Sequence, residues 1–396
     1  MKGIHREEIY RKAVEFVEEN RGKLEVAVKV AIRNIDELSI AYTPGVAEPT
    51  RRVSADKSLQ YRYTARGSQV AVVTDGSAVL GLGNIGPEAA HVVMEGKAAM
   101  LKVFAQADAF PLCLSTQDVE EIIRVVKAVE PSFSLIFLED IAAPRCFEIE
   151  ERLQKELSIP VFHDDQHGTA VATAAALLNA LAFTGRSLES ARMVINGPGA
   201  AGLATARLLL DMGGDDITLC GEFGALRSDD LEKLNPWQRD LVGITNKRKS
   251  RDLAESMRGA DVFIGLSAAG ALSKDVAATM NKDAIIFAMA NPTPEIIPPD
   301  ALAAGALIVG TGQSDFPNMV NNLHAFPGIV RGVLNCRASR VNTAMKIAAA
   351  RAIAACIPKQ ELGPENITPE PLSPVVAPAV TKAVEEAARA SGVARI

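Results

Sequence analysis

The sequence predicts an α/β fold with parallel sheets covered by helices on both faces. Two observations carry this. Short apolar runs recur along the 396 residues, and stretches of helical periodicity separate them. The last such runs, ARMVI (191–195), DITLC (216–220), VFIGL (262–266), AIIFA (284–288) and ALIVG (306–310), follow one another in the strand–helix alternation of a doubly wound sheet.

The elements follow in order. MKGIHREEIYRKAVEFVEEN alternates charged and apolar positions, which predicts an amphipathic helix over 7–20 and no secretory signal. SIAYTPGVAEPT (39–50) reads as a loop because of its two prolines and glycine. VAVVTDG (70–76) is a strand ending in a turn, and Gly-rich GLGNIGPEAA (81–90) leads to a helix over 91–105. A helix near 117–129 precedes the strand SLIFL (134–138), which runs into Glu139 and Asp140. A helix over 145–157 precedes the strand IPVFH, which runs into DDQHGT. The helix 167–183 is apolar but short of 18 unbroken apolar residues and contains Asn179, so it reads as a core helix rather than a membrane span. Helices over 340–355 and 376–390 flank the Pro-rich ITPEPLSP, read as a packed extended connection. These elements divide the chain into an α/β unit at residues 1–166, a doubly wound α/β unit at residues 167–330, and a helical segment at residues 331–396 that packs back on both.

Composition narrows the function. Hydrophobic residues make up 48% and charged residues 23%, as in an ordinary globular protein. The net charge of −6 argues against nucleic acid as a partner, since binding phosphates needs a basic face. The five cysteines include no C-x-x-C pair, so they read as isolated core thiols of a cytoplasmic protein.

Gly197, Gly199 and Gly202 form G-x-G-x-x-G between a strand and a helix, the context that makes this spacing a dinucleotide signal. The ribose is expected to meet an acid at the end of the next strand, and Glu222 is the acid there. A carboxylate repels a 2′-phosphate, which tilts the reading to NAD over NADP. Nearby Arg227 opposes the tilt, and Glu222 reads equally well as a solvated loop acid.

Two strands each end in paired acids, Glu139–Asp140 and Asp164–Asp165. Side by side, four carboxylates would repel one another unless a cation joins them. An all-oxygen site suits Mg²⁺ or Mn²⁺, and His163 and His167 keep zinc open. The competing reading is that Asp164 or Asp165 caps the following helix.

The motifs SIAYTPGVAEP, VTDGSAVLGLGNIGP, MEGKA, LED, VFHDDQHGTA, NGPGAAG, ADVFIGLSAAG, ANPTPEI and SDFPNMVNNLHAFPG resemble, in order, those of the malic enzymes in their short bacterial form. The resemblance covers nearly the whole chain and implies a Rossmann-type nucleotide domain. It also implies oxidative decarboxylation of L-malate, a small dicarboxylate, to pyruvate and CO₂ with NAD or NADP and Mg²⁺ or Mn²⁺. Under it Glu139, Asp140 and Asp165 are the metal ligands and Asp164 supports them. Lys97 is the general base, with a pKa lowered by the cation and by burial, and Tyr42 is the general acid. Asn196, Gly197, Gly199, Ala200, Ala201, Gly202, Glu222, Ser267 and Asn291 lie along the cofactor, and Asn291 and Asn322 reach the substrate. A homodimer or larger homo-oligomer is implied too, with Tyr42 and Lys97 acting across its interface.

The sequence also departs from the pattern. Gly221 stands where relatives commonly have a ribose-binding aspartate, and Ala78 where larger forms have an arginine for a substrate carboxylate. FPLCLSTQD (110–118) is more apolar than usual. Another β-hydroxy acid such as tartrate or an alkylmalate, plain malate dehydrogenation and a non-catalytic NAD-binding regulator are the alternatives.

Overall fold

Ten strands form in the computed structural model, which describes residues 6–79 and 81–396. Four build a first sheet: β1 (Gln69–Thr74), β2 (Asp108–Cys113), β3 (Leu135–Leu138) and β4 (Val161–His163). They pair in the order β2-β1-β3-β4, all parallel. Six build a second: β5 (Arg192–Asn196), β6 (Asp216–Gly221), β7 (Gly224–Ala225), β8 (Val262–Gly265), β9 (Ala284–Ala288) and β10 (Ala306–Thr311). Their order is β10-β9-β8-β5-β6-β7, parallel except for the short hairpin strand β7. Strand order reverses beside β1 in the first sheet and beside β5 in the second. Ligands of open α/β sheets bind beyond the carboxyl ends of the strands at such reversals.

The apolar runs become strands because helices cover both faces; β1, β3, β8 and β9 are almost wholly buried. Two strands escape the sequence reading. Pro111 argues against a strand at 108–113, yet β2 lies on the sheet edge, where a missing N–H leaves no ladder bond unmade. The two-residue strand β7 is too short to leave a pattern.

Helix starts also differ from expectation. The helix Gly86–Ala105 begins earlier than 91, with Pro87 in its first turn where its fixed φ helps. The helix Asp164–Thr184 begins at Asp164, and His163 rather than either aspartate caps it, accepting the Gln166 N–H. The capping reading of Asp164 and Asp165 is therefore wrong. This helix is long and apolar enough to cross a membrane, but most of it is buried inside the protein. Its Asn179 donates to the carbonyls of Ala354 and Ile367, so the polar group is satisfied in the core.

The helices Phe326–Asn335, Thr343–Ala355 and Val376–Ala390 pack on one another. The first also packs on Gly86–Ala105 and the second on Asp164–Thr184, so this segment clamps both sheets' helices. All five cysteines are free; Cys146, Cys220 and Cys336 are buried, whereas Cys113 and Cys356 are only half-buried. Residues 7–65 pack least. The helix Arg6–Asn20 leaves Ile9, Tyr10, Val14 and Phe16 exposed, and Val26, Val28, Val30, Ile32, Ile35 and Ile40 beyond it are exposed as well.

Candidate active site

Register brings the two acid pairs together. β3 and β4 are neighbours, with Leu138 opposite His163, so Glu139 and Asp164 leave the sheet side by side. Asp140 adopts a left-handed backbone (φ 54°) and its N–H donates to Asp165 Oδ2 at 2.9 Å. One oxygen from each of Glu139, Asp140 and Asp165 lies within 4.8 Å of the others. Asp164 turns instead to Lys97, whose Nζ sits 2.8 Å from Asp164 Oδ2 and 2.9 Å from Glu139 Oε1. The ammonium also lies 4.5 Å from the centre of the Phe326 ring. Gly168 makes this possible, because a Cβ there would fall 1.9 Å from Asp164 Oδ1.

The acids are in conflict. Burial, then the neighbouring carboxylates, push Asp140 up to about 8 against the pull of Lys97. Burial also raises Glu139 well above its ordinary range and Asp164 to about 6, with Lys97 again opposing. Glu139 Oε2, Asp140 Oδ2 and Asp164 Oδ1 are buried without a hydrogen-bond partner. Glu139 and Asp140, two of the three clustered acids, thus each keep an orphaned buried oxygen, which fits a hard divalent cation. The histidines fit zinc less well. His167 Nε2 meets Glu150 at 2.9 Å and His167 Nδ1 meets Lys346 at 3.3 Å, while His163 Nε2 stays 3.8 Å from Asp165.

Without a cation in the cluster, Lys97 is held by the acids. Burial lowers its pKa, but Asp164 and Glu139 together outweigh burial and hold it above the ordinary lysine value. Two carboxylates within 3 Å favour the ammonium, so the protein's own groups do not prepare a neutral amine.

The second sheet meets the first across a cavity of about 1500 Å³. Lys97, Glu139, Asp140 and Asp165 line it from one side, and Ala200, Ala201, Ser267, Asn291 and Asn322 from the other. Asn196, the last residue of β5, is buried and donates to Ser267 Oγ at 2.9 Å. Gly197 has φ 111° and leaves a Cβ no room beside the Leu266 carbonyl, while Gly202 packs against the Gly197 carbonyl. Around Gly199 the space is open, which leaves its backbone free to approach a ligand. Asn291 is held by Gln313, whose Nε2 donates to its Oδ1 at 2.8 Å.

A smaller cavity of about 350 Å³ adjoins this turn and is lined by Gly197, Gly199, Gly221, Glu222, Arg227 and Lys233. Glu222 is exposed at its rim, and Arg227 pairs with Asp229. A Cβ on Gly221 would lie 2.7 Å from the Pro198 ring, so a side chain there would press on that ring.

Tyr42 is not in either cavity; it is 66% exposed. Sequence reasoning also missed three residues. Lys23 is, with Lys97, one of two cations lining the large cavity among the described residues. Glu150, buried, braces the first turn of the acid-bearing helix by accepting from His163 N and Gln166 Nε2. Glu295 is buried behind the Ser267 and Asn291 walls. None of the three stands in a spacing that marks it. Only the motif position of Glu295, in ANPTPEI, offered a signal.

Residues 21–154 match the family model of the malic enzyme N-terminal domain, and residues 166–389 that of the malic enzyme NAD-binding domain. The chain belongs to the malic enzyme family. It is 55% identical over 378 residues to the bifunctional malic/malolactic enzyme of Bacillus subtilis, covering 95% of this chain and 92% of that one. It is 48% identical to the NAD-dependent malic enzyme of Geobacillus stearothermophilus, covering 94% and 78%. Among solved structures, the malic enzyme of Pyrococcus horikoshii superposes with a TM-score of 0.93 at 46% identity, covering 98% of this chain and 92% of that one. The NAD-dependent malic enzyme of Thermotoga maritima gives 0.91 at 47%, covering 94% and 98%. The protein is accordingly a decarboxylating oxidoreductase of this family, and its second sheet is a Rossmann-type domain for a nicotinamide cofactor.

Proposed function

We propose that the chain oxidatively decarboxylates L-malate to pyruvate and CO₂. Glu139, Asp140 and Asp165 would hold Mg²⁺ or Mn²⁺, and the Gly197–Gly202 turn would hold NAD or NADP. The observation that carries this reading is one cavity lined by the three-acid cluster, Lys97 and the dinucleotide turn. When bound, the cation supplies positive charge that eases loss of the hydroxyl proton and absorbs charge as CO₂ departs. Lys97, between Glu139 and Asp164, is placed to hold or pass a proton at the substrate hydroxyl, and Asp164 is its proton partner. Asn291 and Asn322 orient the hydroxy acid. Lys97 is engaged by two acids; among the described residues of the cavity wall Lys23, whose Nζ donates to the Val92 carbonyl at 3.0 Å, is the other cation and would meet the carboxylate far from the metal.

Tyr42 would return a proton to C3. Its exposure in a single chain, with the unpartnered apolar residues from Val26 to Ile40 beside it, supports a homodimer in which one chain's Tyr42 completes the other's site. For the cofactor, Glu222 at the rim favours NAD, and Arg227, tied to Asp229, leaves less positive charge for a 2′-phosphate.

The Bacillus relative's malolactic activity supports a second reading, in which part of the malate leaves as lactate. The test is an initial-rate assay with malate, NAD or NADP, and Mn²⁺ or EDTA. It should show reduced cofactor appearing with pyruvate, and no rate in EDTA. Oxaloacetate as the product, or an unchanged rate in EDTA, would overturn the reading; lactate would support the second.

A further inference from the structure

Glu295 is a charged residue with 0% exposure, and the chemistry above does not use it. It lies in the loop after β9. Its Oε1 accepts the Ser267 N–H at 2.8 Å and the Ser267 hydroxyl at 3.2 Å, and its Oε2 accepts the Ala290 N–H at 3.0 Å. Among the described residues no ion pair involves it. Burying a carboxylate without a cation is unfavourable unless strong donors surround it, and here two backbone N–H groups and a hydroxyl do. Gly265 makes the room: a Cβ there would fall 2.4 Å from Glu295 Cδ.

The bonds run to three strand ends. Ser267 follows β8 and accepts from Asn196 Nδ2, at the end of β5, at 2.9 Å. Ala290 follows β9 and precedes Asn291. Ser267, Ala290 and Asn291 all line the large cavity on the side of the dinucleotide turn. We propose that Glu295 is a positioning residue that locks the Ser267 and Ala290–Asn291 segments to the Asn196–Gly197 turn, and so shapes the wall against which the nicotinamide end of the cofactor rests. The proposal rests on the dinucleotide reading of this cavity. A neutral glutamine of the same size can offer an oxygen to only one of the two segments. Its NH₂ faces an N–H on the other, so one segment is released while the packing volume is kept.

The test compares wild type, Glu295→Gln and Ser267→Ala by titration calorimetry with NAD, with NADP and, separately, with Mn²⁺. Glu295→Gln is expected to weaken dinucleotide binding roughly tenfold, the worth of one charge-assisted hydrogen bond, and to leave Mn²⁺ binding unchanged, because the acids sit on the other sheet. Ser267→Ala keeps the backbone bond to Glu295 and cuts the link to Asn196, so a smaller loss of the same kind is expected. It also serves alone if Glu295→Gln does not fold. Wild-type dinucleotide affinity in the folded variants overturns the proposal, as does an equal loss of dinucleotide and Mn²⁺ affinity, which would mark general damage. A wild type that binds neither NAD nor NADP overturns the dinucleotide reading instead.

Discussion

The two sheets present their carboxyl ends to one cavity and equip them oppositely. The edge of the first carries buried Glu139, Asp140 and Asp164, each with an orphaned oxygen, beside half-buried Asp165, and these acids repel one another. The edge of the second carries Gly197, Ala200, Ala201 and Ser267, small and neutral, with Glu295 sunk behind them and fully hydrogen-bonded. The first edge stores electrostatic strain that a cation would relieve. The second offers close approach to backbone, which suits a long ligand held along its length. The difference teaches that one edge is built for reaction and the other for binding, so substitutions at the two should fail in different ways.

The largest expected effect is on the charged edge. Asp140→Asn should lower turnover about a thousandfold or more, while the metal-stripped protein stays as stable as wild type near neutral pH, since Asp140, pushed up to about 8, is largely uncharged there. A metal-stripped variant that melts far below wild type would mean that Asp140 is there for structure. On the neutral edge Gly202→Ala should do the reverse. Its Cβ would press on the Gly197 carbonyl, costing about 1–3 kcal/mol of stability and weakening dinucleotide binding with Mn²⁺ affinity intact.

Next in size, Tyr42→Phe and Lys97→Ala should each cost about a hundredfold in turnover. Mixed and refolded together, the two inactive variants should regain part of the activity, because one site of the hybrid then has both residues. No recovery would place Tyr42 in its own chain's site or outside any site. Lys23→Met should raise KM for malate about tenfold with little change in kcat, and an unchanged KM would remove it from the substrate wall.

The smallest effect is one of pH. Asp140 is pushed up to about 8 in the folded protein, above the ordinary aspartate value. Folding therefore takes up a proton between those values, and stability falls as pH rises through that window. Burial lowers His167 below its ordinary value, so its influence lies at lower pH. In EDTA the thermal midpoint should drop from pH 6.5 to pH 8, and excess Mn²⁺ should reverse the order by binding the ionised form. Equal midpoints in EDTA would show that the acid cluster does not titrate there.

Much of this contrast is legible along the chain. Acid pairs after two apolar runs, and G-x-G-x-x-G after a third, are local patterns, and parallel strands deliver such residues to the same sheet edge. β2 was hidden because Pro111 is tolerable only on an edge strand, and strand order is not written in local pattern. The pairing of Lys97 with two carboxylates 67 and 42 residues away is not legible locally, because only the fold brings them within 3 Å of its ammonium.

The sequence by itself determined the α/β class, the glycine turn and the kinds of group at each edge, because apolar periodicity and turn chemistry act over a few residues. Tertiary structure alone decided that Asp164 faces Lys97 rather than the other acids, that Glu295 ties three strand ends together, and that Tyr42 stands outside its own chain's cavity. Those outcomes depend on register and on distances of a few ångströms between residues far apart in the chain.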